Sequence, residues 1–330
     1  MKENEIRPDG LFDRYLALLR NDREKYFRDA RFQRVPCPAC GSSSQTVAFS
    51  KLDFTYETCN SCGTHFANPR PEREAFTRYS TDSASVRFWA TDFYRETEES
   101  RRRLLIHPKA LQVREIIHRY LPSVPSAACI LDVGAGYGVF CEELHALLPE
   151  TSVMAIEPSP MLAARCREKG IPTIEKFLEE VTRADLAGTV PVAATSFELL
   201  EHLHDPGEFL TRCRDLLPKG ALVILTTLNG KGFDLQVLRD RSRSICPPAH
   251  INFFNPASLH TCLERHGFEP LQVTTPGRLD VDIASKDLAG VADPFLREIL
   301  TAGEDVREKF QSVLREAGMS SLMMAVARTR

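Results

Sequence analysis

Three groups of residues have the types and spacing for chemistry. The first is Asp132-Val-Gly134-Ala135-Gly136-Tyr-Gly138, which follows Ile130-Leu131 and precedes an amphipathic stretch with Val139, Phe140, Leu144, Leu147 and Leu148 at helical spacing. Strand, glycine turn and helix in that order make a nucleotide site. The glycines let the backbone take positive φ beside a ligand, and the helix start offers free N–H groups. Position 139 is Val, so the spacing is not the Gly-x-Gly-x-x-Gly of a dinucleotide fold. A carboxylate at 132 would also repel a pyrophosphate while suiting an ammonium or sulfonium group, so a cationic ligand is expected. The second group is Cys37-Pro-Ala-Cys40-Gly41 and Cys59-Asn-Ser-Cys62-Gly63, with eighteen residues between the pairs. This fits a four-thiolate zinc ribbon, and four thiolates leave no open coordination position, so the ion is structural. A redox Cys-x-x-Cys would leave the second pair unexplained. The third group is Glu198, Glu201 and His202, which share a face at i, i+3 and i+4 if the segment is helical. A neutral histidine is poised near pH 7 to take a hydroxyl or amine proton, with Glu201 orienting the ring.

The second strand sharpens the first group. Ser152-Val-Met-Ala-Ile156 runs into Glu157, about twenty residues past the glycines, where an acid can accept both ribose hydroxyls. Here the chain resembles class I S-adenosylmethionine-dependent methyltransferases, over roughly residues 125–275 plus the C-terminus. Asp132, Gly134, Gly136 and Gly138 match that family's methionine-binding motif, with Ala135 in the same turn, and Glu157 matches its ribose-binding acid. The resemblance implies an α/β, Rossmann-like, seven-stranded core with S-adenosylmethionine as cofactor. It also implies Phe177 and Leu178 against the adenine and Glu198 at the methionine end. The Glu-x-x-Glu-His segment is similar to that of ubiquinone-pathway O-methyltransferases, which implies a divalent ion at Glu198, Glu201 and His202 as an alternative to the base. His250, in His250-Ile-Asn-Phe-Phe254, lies in a loop where the family has a histidine near the substrate. A four-cysteine ribbon ahead of such a core resembles sugar C-methyltransferases, although their further C-terminal domain is not found here.

Composition narrows the partners. The 330 residues carry a net charge of −3 with both signs interspersed, so no basic field is available to hold a phosphate backbone and nucleic acid is not expected. The first residues lack an apolar leader pattern, no stretch is apolar enough for a bilayer, and six of the ten cysteines are scattered singly. The expectation is a cytoplasmic protein without a membrane span.

Around these groups the chain divides into a helical segment (1–34), the ribbon (35–70), a helical linker or lid (71–122), the core (123–278), a helical insertion (279–319) and a last core strand (320–330). Leu11, Phe12, Tyr15, Leu16, Leu18 and Leu19 predict an amphipathic first helix packed on a neighbour or on a second copy, so a homodimer is one expectation. Tyr79 and Tyr94 are candidates to close over the cleft, and Arg278, Asp280 and Asp282 to line it. The leading reading is methyl transfer to a hydroxyl of a small polar metabolite (a sugar, nucleotide-sugar or natural-product-like acceptor), with His202 as base and His250 nearby. An RNA methyltransferase gripping RNA through its ribbon, with Lys51, Arg70, Arg73 and Arg78 at hand, is an alternative. A non-catalytic cofactor-binding scaffold is another.

Overall fold

The computed structural model describes residues 1–121, 123 and 128–330, so the expected lid–core boundary at residue 122 lies outside them. The N-terminal segment forms α1 (Glu3–Ile6) and α2 (Asp9–Phe27). From the expected apolar face α2 buries Phe12, Tyr15 and Leu19, and it adds Phe27 at its end. The ribbon region follows, with β1 (Phe32–Gln33), β2 (Gln45–Lys51), β3 (Phe54–Cys59), β4 (His65–Ala67) and β5 (Arg70–Pro71). Next comes α3 (Arg73–Asp82), and residues 84–120 are then continuously helical. They form α4 (Ala84–Phe88), a π turn at Trp89–Phe93, α5 (Tyr94–Arg101), a second π turn at Arg102–Ile106, and α6 (His107–Tyr120). Helices α2 to α4 close an aromatic core against the ribbon with Phe12, Phe27, Phe54, Tyr56, Phe76 and Phe88. Tyr79 belongs to this core at 3% exposure and is not a lid residue, because the ribbon and α2 cover it.

The central sheet is built from β6 (Ala128–Val133), α7 (Val139–Leu147), β7 (Ser152–Ile156), α8 (Pro160–Glu168), β8 (Thr173–Ile174), β9 (Val190–Phe197), α9 (Pro206–Leu216), β10 (Leu222–Leu228) and α10 (Phe233–Leu238). β11 (Asn252–Phe253), α11 (Pro256–Arg265) and β12 (Phe268–Thr274) follow, and after the insertion β13 (Leu322–Thr329). The seven-stranded order is β12-β13-β10-β9-β6-β7-β8. β10, β9, β6, β7 and β8 run parallel, and β13 is antiparallel to both its neighbours. All six residues of β6 are buried, as a central parallel strand with both faces covered requires. Leu131 and Val133 face the α9 and α11 side, while Ile130 faces α6 and α7. The sheet order reverses between β6 and β9, so their carboxyl ends open the crevice where such sheets hold ligands.

Two additions frame that crevice. The insertion forms α12 (Asp280–Ser285), α13 (Pro294–Thr301) and α14 (Glu304–Glu316), packed on Phe233 and Leu238 of α10. It meets α1, since the Glu3 N–H donates to Asp282 at 2.7 Å and Lys286 Nζ lies 2.9 Å from Glu3. The residues expected to line the cleft from this side do not. Arg278 is exposed, Asp282 is taken by Glu3, and Asp280 is buried against Ser320, Ser321 and Gln311 at the base of the insertion. The ribbon's sheet has the order β11-β4-β3-β2, so its last strand comes from the core, between α10 and α11.

Candidate active site

The glycine turn follows β6. Gly134, Gly136 and Gly138 have φ of 76°, 57° and 70°. A Cβ on Gly138 would come within 2.6 Å of Ile171 and 3.0 Å of Cys166, so this glycine serves close packing. A Cβ on Gly136 would meet nothing within 4 Å, which marks the open side of the turn. Glu157, 6% exposed at the tip of β7, accepts the Gly136 N–H at 2.8 Å on one oxygen and the Ser159 N–H at 2.9 Å on the other. Each oxygen retains a lone pair for a further donor. Burial, offset by these two N–H groups, raises the Glu157 carboxyl to about 7. Asp132 lies beneath the turn, bonded to the Thr195 hydroxyl at 2.7 Å and to Cys141, and burial raises it to about 6. Phe177 is 38% exposed just ahead of the turn Leu178–Glu180, whereas Leu178 is packed into the core. On the α5 side of the turn the ring of Tyr94 stacks on Tyr137 at 4.4 Å.

The segment after β9 departs from the expected helix. Glu198 has φ 53°, a left-handed conformation costly for a non-glycine residue, and only Leu200–His202 makes a short 3₁₀ turn. The three therefore do not share one face: Glu201 and His202 stay within ligating distance of each other, and Glu198 leaves them. Glu198 turns instead to Lys109 of α6, with Nζ 3.1 Å from its carboxylate, and the charge of Lys109, aided by Arg101 and Arg7 against the cost of burial, holds it down at about 2. Glu201 is 1% exposed and accepts the Thr227 hydroxyl at 2.9 Å, and burial together with the Glu198 charge raises it to about 8.

His250 takes the place expected of Glu198. Single ligating atoms of Glu201, His202 and His250 all lie within 4.8 Å of one another, and the two imidazoles are 4.7 Å apart at 61°. His202 Nδ1 lies 2.9 Å from the Ala249 carbonyl, and His250 Nδ1 lies 2.6 Å from the Ser244 carbonyl. A carbonyl only accepts, so each Nδ1 carries hydrogen and each neutral ring keeps its Nε2 lone pair. The ring of His202 is thus oriented by Ala249 and not by the expected Glu201. Burial lowers both histidines, His250 to about 3, so both are neutral at pH 7.

The ribbon holds this wall in place. Tyr56 donates its hydroxyl to the His250 carbonyl at 2.6 Å, and the Ala67 N–H donates to Ile251 at 2.8 Å. Asn252 donates to the carbonyls of Leu200 and Leu203 and accepts from Arg70 at 3.0 Å. Arg70, one of the cations available to an RNA, is 2% exposed and acts as an internal strut; burial lowers it to about 10. Lys51 and Arg73 are also engaged, with the Ser242 carbonyl and with Glu208. Cys37 and Cys62 sulfurs are 3.6 Å apart, Cys40 and Cys59 3.4 Å, and one sulfur from each of the four lies within 4.8 Å of the rest. Bonds of about 2.3 Å to a tetrahedral ion would set sulfurs roughly 3.8 Å apart, so the set fits zinc. The two turns are alike: the Gly41 N–H returns to Cys37 and the Gly63 N–H to Cys59, both at 2.8 Å. Lys109, Thr227, Ala249, Arg7 and Arg101 were missed by sequence reasoning, because no motif marks them and each acts across a long sequence distance.

Residues 102–273, just over half of the chain, match the model of a family described as a methyltransferase domain. The ubiquinone biosynthesis O-methyltransferase of Colwellia psychrerythraea is 30% identical over 149 residues, covering 42% of this chain and 60% of that protein. The protein of the same name from Caulobacter sp. (strain K31) is 38% identical over 108 residues, covering 30% and 40%. The chain thus spans less than two thirds of either relative. Among solved structures, the plantazolicin methyltransferase BpumL in complex with SAH superposes with a TM-score of 0.50 at 14% identity over 77% of this chain and 94% of that one, a likeness of fold alone. With its antiparallel β13, its glycine turn and this match across β6 to β12, the chain belongs to the methyltransferase-domain family.

Proposed function

We propose that the chain transfers a methyl group from S-adenosylmethionine to a hydroxyl of a small polar acceptor, of sugar, nucleotide-sugar or natural-product type, with His202 as general base. The observation that carries this reading is the neutral His202 ring, whose Nδ1–H is fixed on Ala249 while Nε2 remains free beside His250. The cofactor, when bound, supplies a methyl group activated on a sulfonium. Glu157 would accept its ribose hydroxyls on the lone pairs left by Gly136 and Ser159, and the open side of Gly136 would receive the backbone-facing edge of the ligand. Glu198 would lie toward its methionine end and Phe177 toward its adenine. His202 Nε2 takes the acceptor proton as the oxygen attacks, and the ionised Glu198 stabilises the imidazolium that results. His250, held low, stays neutral and offers its Nε2 as an acceptor that orients the hydroxyl. Most of the rate comes from alignment within a cleft that excludes water.

Zinc held by Cys37, Cys40, Cys59 and Cys62 would be structural, clamping the ribbon whose sheet ends in β11 next to His250. Of the four cations behind the RNA alternative, Arg70 is buried and Lys51 is engaged with the Ser242 carbonyl, while Arg73 and Arg78 stay exposed, so the reading loses part of its support. Among the described residues no helix is long and apolar enough to cross a membrane. The test is incubation of a cell extract with methyl-labelled S-adenosylmethionine and either wild type or His202→Ala, followed by separation of RNA, protein and small molecules. Label in the small-molecule fraction that disappears with the variant is the expected result. Label in RNA would overturn the reading, and cofactor binding without any label would leave a scaffold.

A further inference from the structure

Two arginines lie on the lid side of the cleft, outside the strand-end machinery. Arg101 is 9% exposed, and among the described residues no carboxylate comes within 4.0 Å of it. Its one hydrogen bond there is a long one, Nη1 to the Ile6 carbonyl at 3.5 Å, and its buried Nε has no partner. Its guanidinium sits 5.8 Å from the Trp89 ring and 5.6 Å from Tyr94, the ring stacked on the glycine turn. Ile6 immediately precedes Arg7, whose Nε is likewise buried without a partner and whose Nη1 is 3.9 Å from a Glu3 already engaged by Lys286. The charges of both arginines act on Glu198, and that of Arg7 reaches His250 as well. A guanidinium presents a planar fork of donors that matches a carboxylate or phosphate, and burying one without a counter-ion is unfavourable.

We infer that the acceptor carries an anionic group, a carboxylate or a phosphate, which is seated by Arg101 and Arg7 while its hydroxyl faces His202. The inference rests on the methyl-transfer reading and adds the substrate class. Both arginines come from elements outside the central sheet, α1–α2 and the end of α5, so this specificity belongs to the additions and not to the methyltransferase core. The second π turn begins directly after Arg101, at Arg102, where an extra residue per turn re-aims the helix.

The experiment uses the full chain saturated with S-adenosylhomocysteine, so that the place of the methionine carboxylate is filled, and titrates inorganic phosphate and benzoate by calorimetry. Wild type is expected to bind one of them saturably. Arg101→Gln and Arg7→Gln should each weaken that binding at least tenfold while changing S-adenosylhomocysteine affinity less than twofold, and Arg101→Lys should recover part of the loss. Tighter phosphate binding assigns a phosphorylated acceptor, tighter benzoate binding a carboxylic acid. The inference is overturned if neither anion binds saturably, if the variants bind as wild type does, or if Arg101→Gln loses S-adenosylhomocysteine itself, since the guanidinium would then hold the methionine carboxylate. Should Arg101→Gln fail to fold by circular dichroism, Arg7→Gln decides alone. A wild type that does not bind S-adenosylhomocysteine would overturn the methyl-transfer reading instead, whichever way the anions behave.

Discussion

At the scale of single residues, the surroundings push two carboxyls in opposite directions and hold two imidazoles neutral. Glu198 stays ionised beside Lys109, whereas Glu201, three residues on, is protonated at neutral pH. The base reading requires a neutral His202, whose ring is held below the ordinary histidine value of 6.5. At saturating cofactor, turnover by the wild type should therefore show its His202 acid limb below about pH 6.5. His202→Gln should lower turnover by about 10²-fold or more, and an unchanged rate would remove it as the base. Glu157→Ala should weaken S-adenosylmethionine binding by about 2 kcal/mol, measured by calorimetry, because two charge-assisted hydrogen bonds are lost. Asp132, the glycines and Glu157 were legible from sequence because a short strand–turn–helix unit fixes their spacing. The pairing of Glu198 with Lys109, 89 residues apart, carries no such local signature.

At the scale of elements, the ribbon and the core share a wall. Each end of α11 grips one cysteine turn: Asn255 donates to the Cys62 carbonyl at 2.9 Å and Arg265 to the Ala39 carbonyl at 2.7 Å. Purified protein should contain one zinc per chain, lost in Cys37→Ser and in Cys59→Ser by metal analysis. Because β4 pairs with β11, zinc removal should also reduce methylation at least tenfold while cofactor affinity changes little, since the glycine turn and Glu157 sit at the ends of β6 and β7 and Glu157 is held there by Gly136 and Ser159. Retention of metal in either variant would exclude the four-thiolate site. The two cysteine turns and the apolar face of α2 were legible from spacing. The helical face expected for Glu198 to His202 was not, because a left-handed Glu198 breaks the segment and spacing alone cannot reveal backbone handedness. For the same reason His250, nearly fifty residues on, could be suspected but not placed opposite His202.

At the scale of the whole molecule, burial opposes charge at many sites in one fold. It lowers His65, His202, His204 and His250, and it raises Glu157 and Asp234 to about 7 and Glu201 to about 8. A histidine kept neutral binds fewer protons folded than unfolded, so its contribution is complete above about pH 6.5 and lost as pH falls. A raised carboxyl binds more protons folded than unfolded, so its contribution is complete below its ordinary value near 4.5 and lost as pH rises to the folded value. The ligand-free chain should thus lose thermal stability between about pH 6.5 and 8 through its carboxyls. Glu201→Gln, which cannot ionise, should gain on wild type steadily across that window in a melting-temperature series, and parallel curves would contradict the burial argument. The pairing of β4 with β11 also bears on the order in which the chain is made. Both cysteine turns close on their own backbone and are complete by Gly63, whereas the strand that finishes their sheet is nearly two hundred residues further on. A nascent chain can gather its four thiols early, yet β4 keeps an open edge until residues 252–253 emerge, so synthesis must carry an unfinished ribbon through the making of five of the seven strands of the central sheet.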